Sequence, residues 1–271
     1  MNPNPVQDSQ LPLDGQSDTS GDPNFMASLA RGLAVIEAFS PQRRQMSTSQ
    51  ISQKTGIPRA AVRRCLYTLA KLGFVSSEDG RNFALRPRIL SLGHAYLAST
   101  PLAKAGQPVL RDVSNRLHES SSIAILDGDE ILYIARASTT RIMTIDLDIG
   151  SRLPAVYTSM GRVLLAHAAE EDREACLERA KPIQYTEFTL MTKEALRTEL
   201  GRVRAQGYAL VDQELEIGLR SIAVPITAHD GRVVAAINVG LQAARVSVTE
   251  MEERILPVLR DAAAELALLL A

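Results

Sequence analysis

Between Ile51 and Arg88 the chain has few ways to satisfy its own local chemistry. The stretch reads ISQKTGIPRAAVRRCLYTLAKLGFVSSEDGRNFALRPR. Ser47 or Thr48 can cap a helix running to about Thr55 with Ile51 inward. Gly56 then supplies a turn, and Pro58 stands where a first helical turn tolerates a missing N–H. The next helix, about Pro58 to Leu72, has two faces at the 3.6-residue period. Val62, Leu66 and Leu69, with Cys65 and Leu72 beside them, form an apolar stripe, while Arg59, Arg63, Tyr67 and Lys71 recur on the other side with Arg64 adjacent. After Gly73, two short apolar stretches flank Asp79-Gly80, a strong hairpin signal. Upstream, Leu29, Leu33, Ile36 and Phe39 predict a helix with that stripe inward from Phe25 to about Phe39, ended by Pro41. Three helices and a hairpin predict a winged helix-turn-helix over residues 25–86, and the pattern from Pro87 to about Ser99 predicts a linker helix over 87–100.

The charges are segregated along the chain. Residues 1–24 hold Asp8, Asp14, Asp18 and Asp22 without Lys or Arg; residues 25–100 carry 11 basic against 3 acidic residues, and residues 101–271 carry 19 against 24. A module of net +8 is thus joined to an acidic one of net −5. The first 24 residues are rich in Pro, Asp, Ser, Gln and Gly, too poor in large apolar side chains to offset the entropy of ordering, and read as a disordered tail. No run approaches 18 apolar residues and the N-terminus lacks a basic-then-apolar leader, so neither membrane nor export is expected. Cys65 and Cys176 have no metal-type spacing, and a reducing cytoplasm fits them.

A second domain is predicted over 101–271. It opens with an amphipathic helix to about Leu117, followed by strand-like runs SSIAILDGD and EILYIARAS around Asp127-Gly128 and a third run, RIMTIDLDIG. A helix from about Ser159 to His167 and two more ending near Gln206 come next. YALVDQEL, RSIAVPITA and RVVAAINVGL read as strands, the last two joined at His229-Asp230-Gly231, and Ser247 or Thr249 caps a final helix. The fold class is α+β, with one antiparallel sheet flanked by helices.

The basic helix fits the major groove, where Arg near a helix N-terminus reaches guanine edges and other cations meet phosphate. Arg59 and Arg63 are the base-reading candidates; Lys54, Arg64, Tyr67, Lys71 and Arg81 are phosphate candidates. Catalytic motifs are missing: there is no HExxH, GxSxG, Walker loop or GxGxxG, and His94, His118, His167 and His229 lack ligand spacing. No enzyme, metal site or cofactor is expected. Asp212, Glu214 and Glu216 could act as paired acids, but strand alternation would put all three on one solvated face. In Tyr157-Thr158-Ser159-Met160-Gly161-Arg162 a helix start presents free N–H groups that suit a carboxylate, or that a plain N-cap satisfies. Ser221 and Asn238 are polar residues inside apolar runs; a ligand or a backbone group would partner them. Arg136 and Arg220 are candidate counter-charges for a carboxylate or members of surface ion pairs.

From about Phe25 onward the chain resembles the IclR-type transcriptional regulators. The resemblance rests on SLARGLAVIEAF, ISQKTGIPRAAVRRCLYTLAKLGFV, LRPRILSLGHAYL, GSRLPAVYTSMGRVLLAHA, AQGYALVDQELEIGLRSIAVPI and DGRVVAAINVG. It implies a winged helix-turn-helix followed by a GAF-like effector domain, with no enzymatic activity and dimers that assemble as tetramers on an operator. RGLAVIEAFSP, TSMGRVLLA and GLRSIAVP are most similar to the regulators of protocatechuate, 4-hydroxybenzoate and β-ketoadipate catabolism, many of them activators. By matched motif, the family's effector pocket carries over to Met160 and Gly161, with Thr158 and Ser159 before them, and to Asp212, Leu219, Ser221, Asn238 and Gly240. Arg162 stands where many members have Lys, and Gly240 where others have a small polar residue. The expected partners are duplex DNA, a small carboxylate effector, further copies of the chain and RNA polymerase. The alternative is a repressor answering to a different carboxylic acid, such as glyoxylate or a sugar acid.

Overall fold

The computed structural model describes residues 22–40, 42–139 and 147–270. Most of the proposed tail, Pro41 as a helix stop and most of the RIMTIDLDIG strand therefore lie outside the described residues. The chain divides into two compact units, with the division between Tyr96 and Leu97.

In the first unit, α1 (Ala27–Glu37), α2 (Thr48–Thr55) and α3 (Arg59–Lys71) enclose a core of Val35, Ala38, Met46, Ile51, Ile57, Val62, Leu66, Leu69 and Val75. Ser47 caps α2 through a capping box with Gln50: the Gln50 N–H donates to Ser47 Oγ and the Ser47 N–H donates to Gln50 Oε1. Gly56 takes the left-handed conformation (φ 70°) that turns the chain into α3. The wing pairs β2 (Val75–Ser76) with β3 (Asn82–Leu85), and a third strand that the sequence did not announce, β1 (Gln45–Ser47), pairs with the other edge of β3. The inward stripe expected for α1 is corrected. Leu29 is 59% and Leu33 49% exposed, Ile36 and Phe39 are half-buried, and Val35 and Ala38 make the core contact. The helix is apolar on more than one side, so periodicity alone could not choose the inner face.

After a 3₁₀ turn at Pro87–Ile89 come α4 (Leu90–Ser99) and α5 (Pro101–Leu117). The second unit is built on a six-stranded antiparallel sheet of order β6-β5-β4-β9-β8-β7. Its strands are β4 (Ser120–Asp127), β5 (Glu130–Ala137), β6 (Arg152–Pro154), β7 (Ala209–Asp212), β8 (Leu219–Thr227) and β9 (Val233–Gln242). On one face, α5 and the C-terminal helix pack on Ile123, Ile134, Ile222, Val224, Ile237 and Val239. On the other, α6 (Ser159–His167), α7 (Glu170–Arg179) and α8 (Lys193–Gln206) pack on Ala124, Tyr133, Ala209, Ala223 and Ala236. Small residues on this second face let α6 approach the sheet closely. The C-terminal helix runs as α9 (Val248–Glu250), a π-helical turn at Met251–Ile255 and α10 (Leu256–Ala267). Pro257, with no N–H to donate and a ring that crowds the preceding turn, accounts for that widening. Among the described residues, no helix is long and apolar enough to cross a membrane.

Candidate functional site

Two sets of chemistry-bearing side chains stand out, one in each unit. In the first, Arg59 opens α3 and Arg63, Tyr67 and Lys71 follow at one-turn intervals, all exposed along with Arg64, while Val62, Leu66 and Leu69 are buried beneath them. The Lys71 ammonium lies 5.6 Å from the centre of the Tyr67 ring, a cation–π contact. The wing tip is fixed by Asp79, whose carboxylate accepts from the N–H groups of Arg81 and Asn82 at 2.8 and 2.7 Å, from Asn82 Nδ2 and from Ser77 Oγ. These bonds to its charged form hold the Asp79 carboxyl well below the usual carboxylate range. Arg81 is thereby presented from an ordered turn. Lys54 is placed differently: its Nζ donates to the Ala38 carbonyl at 2.8 Å, tying α2 to the end of α1, and burial followed by the nearby Arg43 lowers its pKa.

In the second unit, the register brings most of the remaining residues to one end of one sheet face. Ser221 lies opposite Gly240, which lies opposite Ser120; in the adjacent row, Ala223, Asn238, Ser122 and Arg136 are partners in turn. Alternation puts both rows on the α6 face. Arg136 reaches that face because the β4–β5 register shifts at Ile123/Ala124, so that Tyr133 and Arg136, three residues apart, share a side. Arg136 is half-buried, with Nη1 donating to Ser122 Oγ at 2.9 Å and Nε to Ser138 Oγ at 3.1 Å. Among the described residues it meets no carboxylate. Tyr133, fully buried beside it, has its phenol pushed up to about 12, chiefly by burial.

α6 lies over this face, packed on β4, β8 and β9. Thr158 caps it by accepting from the Gly161 N–H at 3.1 Å. Met160 is fully buried in the core, and a methyl group at Gly161 would collide with the Ala155 carbonyl oxygen, so glycine there serves close backbone approach. Among the described residues, the buried Ser159 Oγ meets no hydrogen-bond partner. Arg162 is occupied: its Nη1 and Nη2 each donate to a Glu214 oxygen at 2.6 Å, and its Nε donates to the Val156 carbonyl.

That pair corrects the solvated-face reading of Asp212, Glu214 and Glu216. The strand stops at Asp212, Gln213 turns left-handed (φ 60°), and alternation ends with it, so that Glu214 swings into the interior. Thr186 and Thr189 donate to the Gln213 and Glu214 carbonyls at 2.7 Å each, closing the turn. Asp212 instead binds Arg220 through both carboxylate oxygens, and Arg220 also donates to the Ala243 and Val246 carbonyls. With Arg220 and Arg162 engaged, Arg136 is the guanidinium on this face that is left for an added anion. Leu219, half-buried, sits opposite Gln242 at the same end. Ser122 was not singled out from the sequence; its signal was the triple serine Ser120-Ser121-Ser122 heading a strand.

Residues 28–79 match the IclR helix-turn-helix domain and residues 94–268 the C-terminal domain of bacterial IclR transcriptional regulators. The chain belongs to the IclR family. Its DNA-binding unit and its α+β second unit are those of an IclR transcriptional regulator, and the curated relatives are regulators, not enzymes. This IclR protein is 53% identical over 248 residues to the Pca regulon regulatory protein of Pseudomonas putida, covering 91% of this chain and 85% of that one. It is 34% identical to the p-hydroxybenzoate hydroxylase transcriptional activator of Acinetobacter baylyi, with 90% and 91% covered. Among solved structures, a transcriptional regulator from Rhodococcus sp. RHA1 matches with TM-score 0.79 at 43% identity, covering 91% of this chain and 98% of that one. An IclR homolog from Microbacterium hydrocarbonoxydans, solved with 4-hydroxybenzoate, matches with TM-score 0.76 at 27% identity, covering 90% and 99%.

Proposed function

We propose that this IclR regulator controls an aromatic-acid or β-ketoadipate catabolic pathway, as an activator, by binding a small carboxylate in its second unit. The observation that carries the reading is Arg136: a half-buried guanidinium held only by serine hydroxyls, on the same face as Ser122, Asn238, Ser221 and Gly240. Charge-assisted bidentate pairing makes guanidinium a strong carboxylate receptor when water is partly excluded. The ring or chain of the acid would lie over Ala223 and Gly240 under the first turn of α6, with Ser159 Oγ as a further donor. In this proposal residues 25–86 are the DNA-binding domain, 87–100 the linker and 101–271 the effector domain.

Arg59 and Arg63 would read bases; Arg64, Tyr67, Lys71, Arg81 and Lys54 would position the protein on phosphate. The exposed apolar side of α1, with Met26, Leu29 and Leu33, and that of α4, with Leu90, Leu92 and Tyr96, support assembly as a homodimer and then a tetramer in the cytoplasm. An effector that favours one DNA-competent arrangement over another shifts operator occupancy or RNA polymerase recruitment; equal affinity for both would shift nothing. The test is thermal stability of the purified protein with protocatechuate, 4-hydroxybenzoate, β-ketoadipate, glyoxylate and pyruvate. A rise with one aromatic or ketoadipate-type acid, abolished in Arg136→Gln and Ser221→Leu, is expected. A flat response to the whole panel refutes the pathway assignment and leaves DNA binding intact.

A further inference from the structure

The basic face of the DNA-binding unit carries more uncompensated charge than its own acidic residues can balance. Arg59, Arg63, Arg64, Lys71 and Arg81 are exposed and form no ion pair among the described residues. The acidic residues between 25 and 100 number three, and one of them, Asp79, is consumed by the wing turn. Immediately upstream stands a segment of opposite character, residues 1–24, with four aspartates and no basic residue. It is tethered close by. Asp22 lies in the turn that starts α1, accepting from the Asn24 N–H, and α1 packs on α3 with Arg31 near enough to act on the Cys65 thiol.

From these observations we propose that residues 1–24 dock on the basic face of α3 and the wing, where they compete with DNA for the same arginines. Reach permits it. A flexible chain of this length spans about 27 Å root-mean-square, against about 20 Å for the length of a 13-residue helix such as α3. Tethering raises the local concentration of the tail to the order of millimolar, so weak exposed ion pairs suffice to hold it part of the time. A duplex must displace the tail, and both associations weaken with salt. The tail therefore lowers affinity most where electrostatic attraction is strongest, on non-operator DNA at low ionic strength.

The experiment compares the full chain with its Asp8→Asn/Asp14→Asn/Asp18→Asn/Asp22→Asn variant on a random-sequence duplex from about 50 to 400 mM salt. The control Glu171→Gln/Asp172→Asn/Glu187→Gln/Glu253→Gln makes the same change in net charge on exposed positions of the second unit. The tail variant should bind roughly three- to tenfold tighter at about 50 mM, show a steeper salt dependence and converge with wild type near 400 mM. The control should stay within about twofold of wild type. Equal affinity of tail variant and wild type overturns the proposal, as does an equal gain in the control, which would assign the effect to net charge. A gain that persists at high salt overturns it too.

Discussion

The Arg162–Glu214 pair allows a quantitative test of how the second unit is held together. Arg162 has a side chain 1% exposed and Glu214 one 9% exposed, and their two 2.6 Å bonds join the first turn of α6 to the turn after β7. Substituting Arg162→Met leaves the carboxylate buried with one long bond, from the Leu190 N–H at 3.3 Å. The carboxyl then has an escape: it takes up a proton. Holding a carboxyl of ordinary pKa protonated at pH 7 costs about 4 kcal/mol, at about 1.4 kcal/mol per unit, in the range found when one partner of a buried pair is removed. The loss should shrink to about 1 kcal/mol at pH 5, where protonation is nearly free. At pH 7 the calorimetric transition of the second unit should fall by roughly 8–16 °C, on about 2–4 °C per kcal/mol for a unit of this size. Arg162→Met/Glu214→Leu, which removes both charges, should recover most of the loss. A single variant that loses less than about 1 kcal/mol at pH 7, or whose loss is independent of pH, refutes the account of a buried, interdependent pair.

Other outcomes follow from the same geometry. Gly161→Ala should cost several kcal/mol or prevent folding of the second unit, because its methyl meets backbone, whereas Gly201→Ala, in open space within α8, should stabilise by about 0.5–1 kcal/mol in denaturant unfolding. Ser47→Ala should lower the stability of the DNA-binding unit by about 1 kcal/mol through loss of the capping box. On a duplex selected from a random pool, Arg59→Ala should cost about 1–3 kcal/mol and relax the preference at one position, while Lys71→Ala should weaken all duplexes alike and reduce the salt slope by about 1. Tyr133 ionises at about 12 when folded against about 10 when free, so its contribution is complete below pH 10 and about 3 kcal/mol is lost as pH rises towards 12; alkaline difference absorbance should show one tyrosine lagging the rest.

The helix-turn-helix was legible because its signals are local. Ser47, Gly56, Pro58 and Asp79-Gly80 each dictate a cap or turn, and the period of α3 separates Val62 and Leu66 from Arg59 and Arg63 without reference to any other element. β1 was not legible, since three residues are too few to show alternation and its pairing partner lies more than 30 residues away. α1 misled because apolar residues mark faces that can be covered, without telling whether this chain or another copy covers them. In the second unit the strands carrying Ser221 and Asn238 could be read from their apolar runs, but the convergence with Ser122 and Arg136 depends on sheet order. Glu214 was misread for a sharper reason: alternation was carried one residue past the left-handed Gln213, where the rule lapses.

The irregularity in β5 makes the site depend on counting. Tyr133 and Arg136 look the same way only because one residue between them is left out of the pairing. Removing that residue would reverse the parity of everything after it: Arg136 would turn towards the apolar layer under α5, where an unpaired guanidinium has no place, and Ala135 or Ala137 would take its side. Every side chain around the acid could stay unchanged and recognition would still be lost. Substrate preference in this sheet is thus written partly as the identity of residues and partly as their number, and a single-codon deletion could erase what no single substitution elsewhere in β5 would touch.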